Sequence, residues 1–213
     1  TPFDHDGEFY RFEQNLSEVR TFQKPHVPLY FGGASDVAKE VGAKRADVYA
    51  LWGEPLASIK EQIADIRARA ANYGRTIKFS VSVRPILGDT EGEAWERAQG
   101  ILERVKSSVG DTIGPGKPAR LQSEGSRRLL NFASQGDIHD KRLWMPIAAT
   151  TGAAGNTTAL VGTAEQVSES LLAYHQAGAD AFIIRGFDPM QDTIDWGKEL
   201  IPMVRHGAAA LAK

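Results

Sequence analysis

The sequence predicts an α/β fold made of strand-then-helix units, and three observations carry that prediction. Short apolar, β-rich runs recur along the chain, each is followed by a glycine-bearing loop, and each loop leads into a segment whose apolar residues repeat at helical spacing. Parallel neighbours must be joined across a face of the sheet, so this alternation implies right-handed βαβ crossovers. Such units suit half of an eight-stranded barrel and a doubly wound open sheet equally well.

The first unit is residues 27–31 (VPLYF), closed by Gly32-Gly33, after which Ser35 or Asp36 can cap the helical run VAKEVGAK. In the second, residues 46–51 (ADVYAL) read as a strand and Trp52-Gly53-Glu54-Pro55 as its loop. Residues 56–73 follow as a helix with Ile59, Ile63, Ile66 and Ala70 on one face, stopped by Gly74. The third runs from a strand at 77–87 (IKFSVSVRPIL) through Gly88-Asp89-Thr90 into a helix over 91–109, with Trp95, Ala98, Leu102 and Val105 as its buried stripe. The fourth has a helix over 164–177 ended by Gly178, a strand at 181–184 (AFII), the loop 185–189 (RGFDP) and a closing helix over 192–204. Ahead of them, residues 3–6 and 8–12 make a strand-like pair turning at Asp6-Gly7.

Regularity fails between residues 110 and 162, which hold the run GDTIGPGKP, a basic helical candidate over 121–133 and a small-residue stretch around 150–158. An ordinary connection is much shorter, so the expectation is an insertion within a single partial barrel domain spanning 1–213, with residues 152–158 as a candidate lid.

The 213 residues are 42% hydrophobic, enough for one sizeable core. Lys and Arg number 25 against 27 Asp and Glu, a formal net charge of -2, so no global field draws the chain to nucleic acid or an anionic membrane. No apolar run reaches bilayer-spanning length. The chain has no cysteine, hence no disulfide and no thiolate chemistry, which fits a reducing compartment; a cytoplasmic protein is expected. His5, His26, His139, His175 and His206 lack metal-ligand spacing, and no metal is predicted.

Taken together, PFDHDGEFYRF, VPLYFGGASDVAKEVGAKRADVYALWGEP, GAAGNTTALVGTAEQV and DAFIIRGFDPMQD resemble the C-terminal half of the bacterial luciferase-like flavin monooxygenases, most nearly their alkanesulfonate monooxygenase branch. The pairing of YFGGASD with a downstream WGEP and a TALVG segment is more specific than any single glycine motif. The resemblance implies a (β/α)8 barrel of the TIM type, of which this chain supplies about four C-terminal units plus the insertion. It also implies reduced FMN delivered by a separate flavin reductase, O2 as co-substrate, and a small organic substrate, organosulfur compounds among them. Family members begin with further strand and helix units, so the chain is expected to be completed by homo-oligomerisation or by a complementing N-terminal half, and to be inactive in isolation if neither is supplied.

In such barrels the reacting groups gather where strands end. Gly33 lets the backbone approach a ligand, and the amides of Ala34 and Ser35 open a helix whose positive end favours phosphate; the resemblance puts the FMN phosphate there, against the plainer reading of a glycine turn with a Ser35 cap. Trp52 is either a border of the flavin pocket or a core tryptophan. Ser82 and Arg84 share one face of an alternating strand; if that face is the barrel mouth, Ser82 binds substrate and the Arg84 guanidinium meets an anionic group, and otherwise Arg84 makes an outward salt bridge. Arg185, as a second catalytic cation, and Phe187, as a substrate contact, belong to the loop after the last strand, with a surface ion pair as the alternative for Arg185. The sulfonate-cleaving branch carries an arginine and a histidine where this chain has Ser82 and Arg84, a tyrosine in place of Phe187, and a lid arginine where Ala153 or Ala154 stands, which weakens the case for an alkanesulfonate. Two other readings remain open: an F420-dependent oxidoreductase of the same superfamily, and a non-catalytic half-barrel that self-associates to cover its open edges.

Overall fold

The computed structural model describes residues 1–109, 123–155 and 157–211, so the run 110–118 (GDTIGPGKP) lies outside the described residues. Strands β1 (Phe3–Asp6) and β2 (Arg11–Asn15) form an antiparallel hairpin, and every residue of the two strands is exposed. Its second strand starts later than expected, because the Gly7 amide donates to the Tyr10 carbonyl at 3.0 Å and widens the turn.

The expected units follow: β3 (Tyr30–Gly32), α1 (Asp36–Arg45), β4 (Val48–Trp52), α2 (Leu56–Ala71), β5 (Lys78–Leu87) and α3 (Glu91–Val109). The irregular stretch then contributes α4 (Glu124–Gln135), β6 (Ile138–His139), β7 (Leu143–Trp144), α5 (Pro146–Thr150) and β8 (Ala159–Gly162). The last unit is α6 (Ala164–Gln176), β9 (Ala181–Ile184) and a closing helix made of α7 (Pro189–Asp195), a π-helical turn (Trp196–Leu200) and α8 (Ile201–Leu211). Pro202 explains the π turn: it has no N–H for the Lys198 carbonyl, and the Ile201 amide reaches back five residues to the Trp196 carbonyl instead.

Strands β3, β4, β5 and β9 lie side by side and parallel, a curled sheet that makes half of a barrel. β5 is long enough to fork: its residues 80–83 pair with β9, and its residues 84–87 pair with β8. β7 joins β8 antiparallel and β6 joins β7, so the sheet is mixed where the sequence pointed only to parallel strands. β3 and β9 each have a single strand partner among the described residues.

Alternation separates two faces. On the outer face Phe31, Tyr49, Phe79, Val81 and Val83 pack beneath α2 and α6 against Ile59, Ile63, Ile66, Leu171 and Tyr174. Each of these side chains that is fully buried, which leaves out Phe31, stabilises the fold by about 1.5–3 kcal/mol. The inner face, read from the register, has a row of small residues, Gly32, Ala50, Ser80 and Ala181, and above it the row Trp52, Ser82 and Ile183. No helix among the described residues is long and apolar enough to cross a membrane.

Candidate functional site

The glycine loop after β3 is held in shape from below. Ser35 caps α1 by accepting from the Ala38 amide at 3.2 Å, and the other first-turn amides have no acceptor inside the helix. A Cβ on Gly33 would stand 2.6 Å from the Ala38 Cβ, so only glycine lets the loop lie this close to α1. The Tyr49 hydroxyl donates to the Gly33 carbonyl at 2.7 Å, anchoring that peptide on the outer side of the sheet. Burial pushes the Tyr49 phenol up from 10.0 to about 12, so it remains a protonated donor across the physiological range.

Above the small-residue row lies a cavity of about 660 Å³, within the range of about 300–1,000 Å³ usual for small-molecule sites. Gly33, Ala34, Ser35, Trp52, Ser82 and Arg185 all line it, so residues spread over more than 150 positions of the sequence converge on one space. Its facing wall is the first turn of α4, where a Cβ on Gly125 would come within 3.0 Å of the Trp52 ring. Both α1 and α4 therefore begin at this cavity, each capped by a serine, Ser35 and Ser123.

Arg84 and Phe187 stand beside the cavity lining rather than in it. The Arg84 Nη1 donates to the Gly186 carbonyl at 3.0 Å, and its guanidinium lies 4.8 Å from the centre of the Phe187 ring. Burial, and after it the positive charge of Arg185, lowers the Arg84 pKa from the ordinary arginine value. Ser82 and Arg84 do point to the inner face, as their alternation predicted, because Phe79, Val81 and Val83 occupy the outer one.

The sequence did not foretell two buried ion pairs. Glu54, placed by the sequence in the loop after the second strand, is 3% exposed and accepts from Ser58 Oγ at 2.6 Å, Gln62 Nε2 at 2.9 Å, and Arg128 Nε and Nη2 at 3.0 and 2.7 Å. The hydrogen bonds that Arg128 donates to the Glu54 carboxylate raise the Arg128 pKa and fasten α4 to the barrel. A signal for this existed, since Ser58 and Gln62 follow Glu54 at spacings of four on an otherwise apolar face; Arg128 had none. Asp192, 2% exposed, and its partner Arg97 were also unforeseen. Within the stretch 152–158, Ala153 and Thr158 are fully buried, Ser126 Oγ donates to the Ala153 carbonyl at 2.8 Å, and the Arg84 amide donates to the Thr158 carbonyl at 3.0 Å. Residue 156 lies outside the described residues.

Comparison with known proteins bears on this geometry. The luciferase-like monooxygenase family model matches residues 1–181. Among solved structures, the riboflavin lyase RcaE, crystallised with modified FMN and riboflavin, superposes with a TM-score of 0.70 at 23% identity, over 97% of this chain and 48% of its own. DmoA from Hyphomicrobium sulfonivorans gives a TM-score of 0.67 at 19% identity, over 96% of this chain and 47% of its own. An F420-dependent secondary alcohol dehydrogenase, in complex with an F420–acetone adduct, gives 0.60 at 12% identity, over 95% of this chain and 56% of its own. The chain thus spans about half the length of these solved structures, which share its fold. Its match to the family model over most of its length, on a half-barrel with a mouth-side cavity, makes the chain a member of the luciferase-like monooxygenase family.

Proposed function

We propose that this chain is the C-terminal half of the catalytic barrel of a two-component FMN-dependent monooxygenase, acting on a small organic, organosulfur-type substrate with O2 and with reduced flavin from a separate reductase. The observation that carries the reading is the cavity itself, which gathers the glycine loop, Trp52, Ser82 and Arg185 at the carboxyl ends of the parallel strands. The donor set fits FMN: a glycine-only approach at Gly33, amides at Ala34 and Ser35, and the positive end of α1 suit a phosphate. Trp52 then borders the part that receives the ring system, and Ser82, beside it on the inner face, contacts substrate. Flavin, when bound, supplies the activation of O2. Arg84 and Arg185 neutralise anionic charge next to that space, Phe187 presents an apolar face to substrate, and α4, clamped through Glu54 and Arg128, keeps water from the cavity.

In this reading residues 1–213 form one partial barrel domain with 110–162 as its insertion, related most nearly to the alkanesulfonate branch and working in the cytoplasm. The two open strand edges, β3 and β9, are covered by a complementing N-terminal half or by a second copy.

The similarity to an F420-dependent dehydrogenase favours one second reading, hydride transfer with F420 and no oxygen chemistry. Turnover decides between them. Aerobic product formation with reduced FMN and a reductase is the expected result; anaerobic turnover with F420, and none with FMN, would replace the first reading by the second.

A further inference from the structure

We propose that Asp192 is a positioning residue that sets the orientation of Arg84 through a single peptide group. The inference rests on the reading of Arg84 as part of the reaction site. Asp192 lies on α7, and burying a carboxylate costs several kcal/mol unless donors surround it. Here three do: the Phe187 and Asp188 amides reach its Oδ2 at 2.8 and 2.9 Å, and Arg97 pairs with its Oδ1. Arg97 is itself fixed, because its Nη1 donates to the Leu87 carbonyl at the end of β5 at 3.0 Å.

The Phe187 N–H and the Gly186 C=O belong to the same planar unit, and in a trans peptide they point in opposite directions. Asp192 holds one end of that unit and Arg84 Nη1 holds the other, at 3.0 Å. Turning the peptide would therefore withdraw the carbonyl from Arg84 and carry the Phe187 ring from beneath the guanidinium. Gly186 permits the arrangement, since a Cβ there would overlap the Asp192 carboxylate. The chain of contacts runs from the end of β5 through Arg97, Asp192 and the 186–187 peptide to Arg84, with each hydrogen bond polarising the next.

Asp192→Asn tests this. An asparagine has one acceptor oxygen, so it can satisfy the loop amides or Arg97 but must turn its NH2 toward the other. The double variant D192N/R97Q restores matched pairing, with the oxygen of the introduced carboxamide on the loop amides and its NH2 on the glutamine oxygen. Two readouts are taken on the folded chain: the Arg84 Nε–H signal by NMR, which needs no flavin, and flavin-dependent turnover in the complete enzyme. In D192N the Arg84 signal is expected to shift away from its wild-type position. Turnover is expected to fall about tenfold or more, no further in D192N/R84A than in R84A alone, and to recover in D192N/R97Q. An unmoved Arg84 signal in D192N, or losses from D192N and R84A that multiply, would overturn the proposal. If wild type lacks flavin-dependent turnover the functional reading fails, while the NMR signal still decides whether Asp192 orients Arg84.

Discussion

At Gly42 two single-residue effects oppose each other, and their magnitudes decide the outcome. Alanine is the better helix former by about 1 kcal/mol. A Cβ at this position, however, would overlap the Tyr49 ring and stand 3.0 Å from the Phe31 ring, and overpacking of that kind costs about 1–3 kcal/mol. Gly42→Ala is therefore expected to lower stability by about 1 kcal/mol, read as a Tm lower by about 2–4 °C; an unchanged or higher Tm would contradict the packing. Tyr49 makes a pH prediction. Its folded-state pKa is raised, from 10.0 to about 12, so its contribution is fully present below pH 10 and is lost as pH rises toward about 12. Phenolate absorbance from Tyr49 should accordingly appear only as the helical circular dichroism disappears. Tyr49→Phe, which removes the donor to Gly33, is expected to cost about 1 kcal/mol in denaturant unfolding and to weaken FMN binding. Arg84→Ala should lower turnover more than flavin affinity, because Arg84 stands beside the cavity lining; equal losses in the two would move it into the flavin site. Ser35 and the glycine loop were legible in the sequence because capping and close approach are local chemistry. Asp192 and Arg128 were not: their partners lie 95 and 74 residues away, and no local pattern encodes such a pairing.

Among the elements, α4 is tied to the barrel through the ion pair of its Arg128 with the buried Glu54 carboxylate. Glu54→Gln would leave the Arg128 guanidinium, 28% exposed, without its countercharge; part of that loss is screened by solvent, so the expected cost is about 2 kcal/mol. Hydrogen exchange should show α4 opening before α2, and uniform exchange across both helices would mean that the pair does not hold α4 in place. The four barrel strands were readable from their apolar runs, but their starts were not all so. The run expected at 27–31 becomes a strand only at Tyr30, since Pro28 has no amide to donate and the Leu29 amide and carbonyl are taken by Asp47 and by the Asp47 and Val48 amides. β8 escaped notice because it is a four-residue strand, buried on both sides, within a glycine-rich stretch, which shows no alternation. β6 and β7, two residues each, are too short to carry a pattern.

For the molecule as a whole, a curled sheet with a mouth-side cavity, whose outer parallel strands β3 and β9 each have one strand partner among the described residues, agrees with a chain that covers about half of its solved relatives. Parallel edge strands favour pairing with further strands, so the chain by itself should show a solution mass above that of one copy, and adding the complementing N-terminal half proposed above should lower the tendency to self-associate. The architecture was legible because hydrophobic period and glycine punctuation recur unit by unit. What stood beyond reading was the joining of distant loops over the cavity. The central claim is that the loop at Gly33–Ser35 and the start of α1 receive the phosphate end of a flavin. Comparing FMN with riboflavin in the same binding titration, with and without Ser35→Glu, tests it most directly, since the two ligands differ only in the phosphate. The account predicts that FMN binds more tightly by about tenfold and that Ser35→Glu abolishes the difference; equal affinities in the unsubstituted protein would contradict it.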